Sequence, residues 1–434
     1  MTVQIDAFRY PAEGPTRHPT LAVAYDVSSS SPLELTGALD GRCDVVWVVE
    51  AGDPALGAWA RLLPRLGRVV DVAGRSPEAV AGELRDLHVD GVLAFTDSQL
   101  LVAARLVEAL GFEGNPVDVV SALTDKVVQR EVLRAAGIPG PRFLAVDGDT
   151  PLDGVAGLVD GLTFPVVIKP RRGSGSKDTV RIDDSVGAEA YLRGVLGAGG
   201  CPDLVVEEWL EDRSSSPPHP FADYVSVEAV ARRGIIVPLA VTGKFSLAAP
   251  FRETGNFMPH HLPVGEADRV VALAVRAATA LGVLSGALHI EVKLTPGGPR
   301  IIEVNGRVGG GGIDALYEMA HGCTLTGIAA AVALGEPVEL GSFETDRADG
   351  DFVYTYFVQA PEEAHTLTGL GNLQGLPSLD GVVATGVNRT VGDALDWRGG
   401  SMDYLLSVRG TAHGVEALAR VPDQVRDVVD VTWD

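Results

Sequence analysis

A chain of 434 residues is two to four domains long at about 100 to 200 residues per domain, and it can bury a full core without disulfides or a structural metal. With 35 Lys and Arg against 58 Asp and Glu, the formal charge is −23; a surface that acidic repels a phosphate backbone and excludes a general nucleic-acid binder. A composition of 46% hydrophobic and 21% charged residues belongs to a folded globular chain and excludes wholesale disorder.

The first third alternates β-branched runs with helical apolar spacing. Leu21 to Val27, Asp44 to Val49, Arg68 to Val72 and Gly91 to Phe95 are predicted strands, and Pro77 to Leu87 and Ser98 to Leu110 predicted helices. That alternation predicts a doubly wound parallel sheet, a Rossmann-like domain over 1–115. It carries no Gly-x-Gly-x-x-Gly, so no dinucleotide is expected on it. Next comes a single predicted helix, Asp118 to Ala136, with Thr124 as N-cap and Gly137 as its stop. Strands follow at Phe164 to Lys169 (ended by Pro170), Asp203 to Trp209, Tyr224 to Ala231, Ile235 to Gly243, Gly286 to Leu294 and Arg300 to Asn305. The last two are joined by a turn at Pro296 to Gly298. Strands in succession without long helices between them predict an antiparallel sheet, in a middle region over 116–345.

Ser214 to Pro220, rich in Ser and Pro around His219, reads as a loop or flap. A helix from Ala315 to Leu334 is closed by Gly335 and places Cys323 as a buried core thiol. The remainder, 346–434, reads as a small α+β module. Three cysteines, Cys43, Cys201 and Cys323, are odd in number and far apart, which fits a reducing, cytoplasmic setting and no disulfide framework. Met1 to Tyr10 carries Asp6 and Arg9 and lacks the form of a signal peptide, and no charge-free apolar run reaches about 18 residues, so no membrane span is expected.

Two stretches carry chemistry. By the period of two, His289, Glu291 and Lys293 share one strand face, and Ile301, Glu303 and Asn305 share another. Two carboxylates and a carboxamide converging from adjacent strands suit Mg2+, which takes few protein oxygens and keeps phosphate and water; the alternative is a solvated sheet face charged by chance. Arg307 and Gly309 to Gly312 follow at once, and glycines let backbone approach a ligand closely. The second stretch is Lys169 followed by Pro170, Arg171, Arg172 and Gly173-Ser174-Gly175-Ser176. It is either a drape over a polyphosphate or a plain surface turn, and its spacing is not that of a Walker loop.

In sequence order, Thr124-Asp125-Lys126, Gly137-Ile138-Pro139-Gly140-Pro141, Phe164 to Pro170, Val206-Glu207-Glu208-Trp209-Leu210, His289-x-Glu291 and Ile302-Glu303-Val304-Asn305-x-Arg307 resemble the ATP-grasp ligases over about residues 20 to 340. The resemblance implies a Rossmann-like N-terminal domain, an ATP-grasp fold of two α+β subdomains with a nucleotide-binding lid at about 142–212, and the C-terminal α+β module. It implies Lys126 and Lys169 on the α- and β-phosphates of ATP under Ser174, Gly175 and Ser176. Glu207 to Leu210 would be the hinge, with backbone of Glu208 and Leu210 at the adenine beside Trp209, and Glu211 or Asp212 at the ribose. Glu291, Glu303 and Asn305 would hold two Mg2+ ions, with Mn2+ as a substitute. Arg307, with Gly310, Gly311 and Gly312, would face the transferred phosphoryl group and the oxyanion. The implied chemistry is an acylphosphate formed with release of ADP, then attack by an amine.

Val241 to Phe245, Pro250 to Gly255 and Pro259 to Pro263 are similar to the subset holding the bacterial L-amino-acid ligases that form dipeptides. There Glu253 would take a substrate ammonium. Lys244 is either a γ-phosphate contact or a solvated lysine at a strand end. Of His260 and His261 one is expected to pack, because neighbours on an extended chain point opposite ways, and His289 lies either behind the metal ligands or toward substrate. The expected partners are small molecules, carboxylate and amine, with a homodimer as a family-level expectation. Two competitors stay open: a bicarbonate-activating or carbamoyl-type enzyme, and a nucleotide-binding protein without turnover.

Overall fold

The computed structural model describes residues 17–27, 30–213, 220–263, 265–338 and 350–434. Its first unit runs β1 (Thr20–Ala24), α1 (Pro32–Leu39), β2 (Asp44–Val49), α2 (Trp59–Leu66), β3 (Arg68–Asp71), α3 (Pro77–Asp86), β4 (Gly91–Ala94) and α4 (Asp97–Leu110). The strands form a parallel sheet in the order β3-β2-β1-β4. Alternation decides its layers. Leu21, Val23, Val45, Trp47 and Val49 pack with α1 and α2 on one face, while Ala22, Ala24, Val46 and Val48 pack with α3 and α4 on the other. The predicted parallel sheet is present; α1 and α2 were not read from the sequence.

The predicted helix Asp118 to Ala136 is two helices, α5 (Val117–Thr124) and α6 (Lys126–Ala135). Asp125 is extended between them (φ −121°, ψ 107°), and its side chain accepts from Val127 N and Val128 N. The cap is therefore Asp125 and not Thr124, whose hydroxyl donates back to Val120 O at 2.9 Å.

A small antiparallel sheet holds β5 (Phe143–Val146), β6 (Val166–Pro170), β7 (Val180–Ile182) and, after α7 (Ser185–Gly197), β8 (Leu204–Glu208), in the order β5-β8-β6-β7. It has its own core of Val166, Ile168, Leu192 and Val206. The large sheet begins with β9 (Phe221–Arg232), β10 (Ile235–Phe245) and β11 (Gly255–Met258), continues past α8 (Glu266–Ala280) with β12 (Gly286–Thr295) and β13 (Gly298–Asn305), and is followed by α9 (Ile313–His321) and α10 (Leu325–Ala333). The C-terminal part adds β14 (Asp351–Val358), β15 (Leu367–Gly371), β16 (Val382–Val387), β17 (Leu406–His413), α11 (Val415–Val428) and β18 (Asp430–Trp433). Eight strands run in the order β13-β12-β9-β10-β11-β14-β17-β16, so three strands of the C-terminal region continue the central sheet.

The predicted helix Ala315 to Leu334 is also two. α9 ends at Gly322 in the left-handed region (φ 75°), and Thr324 caps α10. Cys323 falls in the break and is exposed, which corrects its expected place in the core. Ser214 to His219 and Met1 to Tyr10 lie outside the described residues. Among the described residues no helix is long and apolar enough to cross a membrane.

Candidate active site

One row of polar side chains crosses the large sheet. Glu303 lies opposite Glu291 and Asn305 opposite His289; Glu291 faces Ser226 and His289 faces Glu228; Ser226 faces Thr242. Two residues on from Thr242, Lys244 lies opposite Asn256, Asn256 opposite Thr355, and Thr355 opposite Arg409. Residues opposed across antiparallel strands share a face, so the row spans seven strands from β13 to β17. Ser226, Glu228, Thr242, Lys244, Asn256, His289, Asn305 and Thr355 are all buried. Burial of that many polar groups is costly unless they are paired or serve a ligand.

At the centre they are paired. His289 Nδ1 sits 3.0 Å from Glu228 Oε2 and its Nε2 3.4 Å from Glu291 Oε1. Burial pulls the imidazole pKa down, but the Glu228 charge and the hydrogen bonds to both carboxylates outweigh it and raise it to about 9. Burial likewise works against the charge of Glu291, yet His289 holds that carboxyl down at about 2. Glu228 also accepts from Ser226 Oγ at 2.7 Å and Thr242 Oγ1 at 3.1 Å. Beside it, Lys244 Nζ lies 3.2 Å from Glu253 Oε1, which also accepts from Tyr224 OH at 2.9 Å. Lys244 is fully buried, so the solvated strand-end alternative does not hold. His260 is buried, its Nδ1 accepting from Leu262 N at 3.1 Å; the His261 ring packs 4.5 Å from that of Phe221.

Helix α6 joins the two antiparallel sheets through charge. Lys126, its first residue, places Nζ 3.1 Å from Glu303 Oε1 of β13 and donates to Gly173 O at 2.6 Å. One turn on, Arg130 Nε donates to Glu207 Oε1 of β8 at 2.8 Å, and its Nη2 reaches Ile302 O. Lys169 Nζ completes the group 2.9 Å from Glu207 Oε2. Burial works against the Glu207 charge, but Arg130 and Lys169 hold its carboxyl at about 2. The Glu207 side chain thus serves to hold Lys169 and α6 in place. Arg171 and Arg172 both pair with Asp125, at 2.6 and 2.9 Å, which fixes the glycine loop to the α6 N-terminus.

Past β8, the Trp209 ring lies under Arg181 at 4.7 Å and 5.8 Å from the Phe251 ring. Glu208 accepts from Thr163 N at 2.7 Å, Asp212 pairs with Lys293, and Leu210 and Glu211 lie between them in the chain.

The carboxylates Glu291 and Glu303, on adjacent strands, stand beside the carboxamide of Asn305, whose Nδ2 donates to His289 O at 3.3 Å and leaves Oδ1 as an oxygen donor. Among the described residues no three His, Cys, Asp or Glu side chains form a metal cage; two carboxylates and one amide oxygen are a donor set that fits Mg2+ with its waters and phosphate oxygens. Arg307, next along, is held by Asp97 of α4, Nη2 to Oδ2 at 2.8 Å. Gly309 to Gly312 then pass so close over the row that a Cβ on Gly309 would lie 2.6 Å from His289 Nδ1, and one on Gly311 2.7 Å from Asn256 Nδ2 and 3.5 Å from Glu253 Oε2. At that end Asn256 Oδ1, Thr355 Oγ1 and Gln359 Oε1 are buried with no hydrogen-bond partner among the described residues, which leaves them open to a ligand or to water. Asp97, Arg130, Glu228, Asn256 and Thr355 were not singled out from sequence. For Glu228 a signal existed, since a carboxylate inside the apolar run Tyr224 to Ala231 has to find partners.

Residues 123–311, which span the two antiparallel sheets' lysine–carboxylate pairs, match the ATP-grasp domain family. That match covers less than half of the chain's length. An uncharacterised protein of Sinorhizobium fredii, y4rH, is 25% identical over 309 residues, 69% of this chain and 61% of that protein. Carnosine synthase 1 of Mus musculus is 27% identical over 244 residues, 52% of this chain and 28% of that one. The L-arginine-specific L-amino acid ligase of Bacillus subtilis is 25% identical over 248 residues, 54% of this chain and 55% of that one. This chain therefore spans less than two thirds of the length of each. The crystal structure of an L-amino acid ligase from Bacillus licheniformis superposes with a TM-score of 0.75 at 21% identity, over 97% of this chain and 100% of that one. A phosphoribosylglycinamide synthetase from Anaerococcus prevotii gives 0.66 at 14% identity, over 96% and 100%. The fold of the molecule is that of the ATP-grasp proteins.

Proposed function

We propose that the protein is an ATP-dependent ligase that joins a carboxylate to an amine, both from amino acids or small amino-acid-like molecules, and releases ADP and phosphate. The observation that carries this reading is the polar row itself. One end gathers Lys126, Glu303, Glu291 and Asn305, a set suited to a magnesium-bound triphosphate. The other gathers the acceptors Asn256 Oδ1 and Gln359 Oε1 and the Thr355 hydroxyl, none with a hydrogen-bond partner among the described residues, beside the equally unpartnered Arg409 Nε opposite Thr355, and Glu253 Oε2 close to Gly311. Acceptors without donors are what a primary ammonium, with three N–H groups, satisfies.

In this reading Lys126 and Lys169 hold phosphate oxygens, and Glu291, Glu303 and Asn305 hold Mg2+. The ion, when bound, neutralises charge on the phosphates. A substrate carboxylate oxygen attacks the γ-phosphorus, the bond to the β-phosphate oxygen breaks, and ADP leaves. The Asp97 carboxylate keeps Arg307 charged and aimed at the acyl carbon, where it and backbone N–H groups of Gly310, Gly311 and Gly312 stabilise the oxyanion. Glu253, with Oε1 committed to Tyr224 and Lys244, offers Oε2 to the ammonium and takes the proton it must lose before nitrogen attacks. Phosphate then departs and an amide remains. Lys244, with Glu253, sits in this acceptor half. Bicarbonate activation is the competing chemistry on the same fold.

The test is phosphate release with ATP and Mg2+ over pairs of amino acids, with and without bicarbonate, followed by mass measurement of the product. Release that needs two amino acids and yields their sum minus water is the expected result. Release that needs bicarbonate, or none with any pair, overturns it.

A further inference from the structure

We infer that Ser401 is a positioning residue that couples the nucleotide half of the site to the amine half; the inference rests on the ligase reading. Ser401 lies in the short 3-10 segment Trp397–Met402, more than two hundred residues from the glycine loop. Its backbone N–H donates to Gly175 O at 2.8 Å, and a neighbouring bond runs from Asp178 N to Arg398 O at 3.1 Å. Its side-chain oxygen accepts from Glu253 N at 3.0 Å. Gln359 closes the arrangement, its Nε2 donating to Glu253 O at 2.8 Å and to Ser401 O at 3.0 Å. One residue thus touches the loop proposed for the phosphates and the residue proposed for the ammonium.

The segment is built to hold still. Asp403 accepts from Asp396 N at 2.9 Å and from Arg389 Nε at 2.9 Å, Asp396 caps Arg398 N at 3.0 Å, and Asn388 donates to Tyr404 O at 2.8 Å. The meeting with the glycine loop leaves no room for a side chain. At Gly400 (φ 74°) a Cβ would collide with Gly175 O and approach Lys177 N to 2.9 Å, and the backbone there is one that L residues rarely adopt. Two ligands that bias one element are linked reciprocally. A nucleotide that fixes the glycine loop through Gly175 therefore fixes the Glu253 backbone through Ser401, and the acceptor for the amine is set when the phosphates are in place. A substrate acylphosphate formed before the amine acceptor was set would be lost to water.

Hydrogen exchange on the full chain tests this, with the magnesium complex of the non-hydrolysable analogue AMP-PNP as probe. In wild type the probe is expected to slow exchange about tenfold or more at 173–178 and at 253–256 alike. Ser401→Ala keeps its backbone bond to Gly175, so protection at 173–178 should persist while that at 253–256 falls severalfold below wild type, the Gln359 bridge to Glu253 O being the part of the link that remains. Ser401→Thr, which retains an accepting oxygen, should restore it. Gly400→Ala should loosen both segments even without nucleotide, with the β9 and β12 amides remaining slow as the check on folding. Equal protection of 253–256 in Ser401→Ala and wild type overturns the inference alone. Absence of AMP-PNP uptake by wild type overturns the ligase reading and the coupling with it.

Discussion

Arg307, in the bend that follows β13, and Asp97 at the start of α4 share a charge-assisted hydrogen bond of 2.8 Å between Nη2 and Oδ2, with a second at 3.0 Å from Nε to the same oxygen. The N-terminal parallel unit thereby sets the guanidinium of the proposed oxyanion site. Burial opposes the Arg307 charge, and Asp97 more than restores it. Asp97→Asn leaves a largely buried arginine without its counter-charge, a loss of up to about 3 kcal/mol of stability. Misplacement of the guanidinium should lower kcat/KM for amide formation about 100-fold. Urea midpoints and initial rates read the two effects, and a variant equal to wild type in both would show that the pair does neither job.

Glu207 gives a pH prediction with a definite sign. Its carboxyl is held at about 2, below the ordinary 4.5, and a depressed folded pKa means stability that is present above 4.5 and is lost as pH falls through that window toward 2. A shift of that size is worth about 3 kcal/mol. Glu207→Gln leaves Arg130 and Lys169 buried without a counter-charge, so it should be less stable than wild type at pH 7 by a similar amount. The gap should narrow by about half as both proteins are taken from pH 5 to pH 3. Paired urea melts across that range decide it; a constant gap would mean that the loss is one of packing.

How much of this was legible beforehand follows from where each partner sits in the chain. Glu291, Glu303 and Asn305 were readable because the period of two within one hairpin fixes which side chains share a face. Lys126 and Lys169 stood out through motif order. Asp97, Glu228, Asn256, Thr355 and Ser401 were not found, because their roles come from pairing across the sheet or between units far apart in sequence, which no local pattern encodes. The two broken helices were misread for a different reason. Apolar spacing runs on through Asp125 and through Cys323, while the break is decided by one extended residue in the first case and one left-handed glycine in the second.

Gly309 tests how closely the glycine run must approach the row. An added Cβ would sit 2.6 Å from His289 Nδ1, 2.9 Å from Ile313 Cδ1 and 3.1 Å from Glu228 Oε2, three neighbours that are all buried and held. Overpacking of that kind costs about 1 to 3 kcal/mol. Gly309→Ala should therefore lower the thermal midpoint and, by lifting the backbone from its place, slow amide formation more than it weakens nucleotide binding. Equal losses in both would place the strain outside the acyl site.

Glu303 and Glu228 separate metal binding from structure. Both are carboxylates of the row, but Glu228 is enclosed by His289, Ser226 and Thr242, whereas Glu303 is only partly enclosed and pairs with Lys126. Glu303→Gln keeps the shape and removes a charge from the proposed magnesium site, so ADP formation should fall about 100-fold or more, while the thermal midpoint, lowered by loss of the Lys126 pair, falls less than that of Glu228→Gln. The Mg2+ concentration for half-maximal nucleotide binding should rise at the same time. Glu228→Gln should behave in the opposite way, since its loss leaves the buried His289 charge facing Glu291 alone: a clear drop in midpoint with little change in the Mg2+ requirement. Titrating each variant with Mg2+ and the ATP analogue by calorimetry, beside a thermal melt, reads both quantities. If Glu303→Gln melts early with an unchanged Mg2+ requirement, its carboxylate belongs to the ion pair with Lys126 and not to the metal.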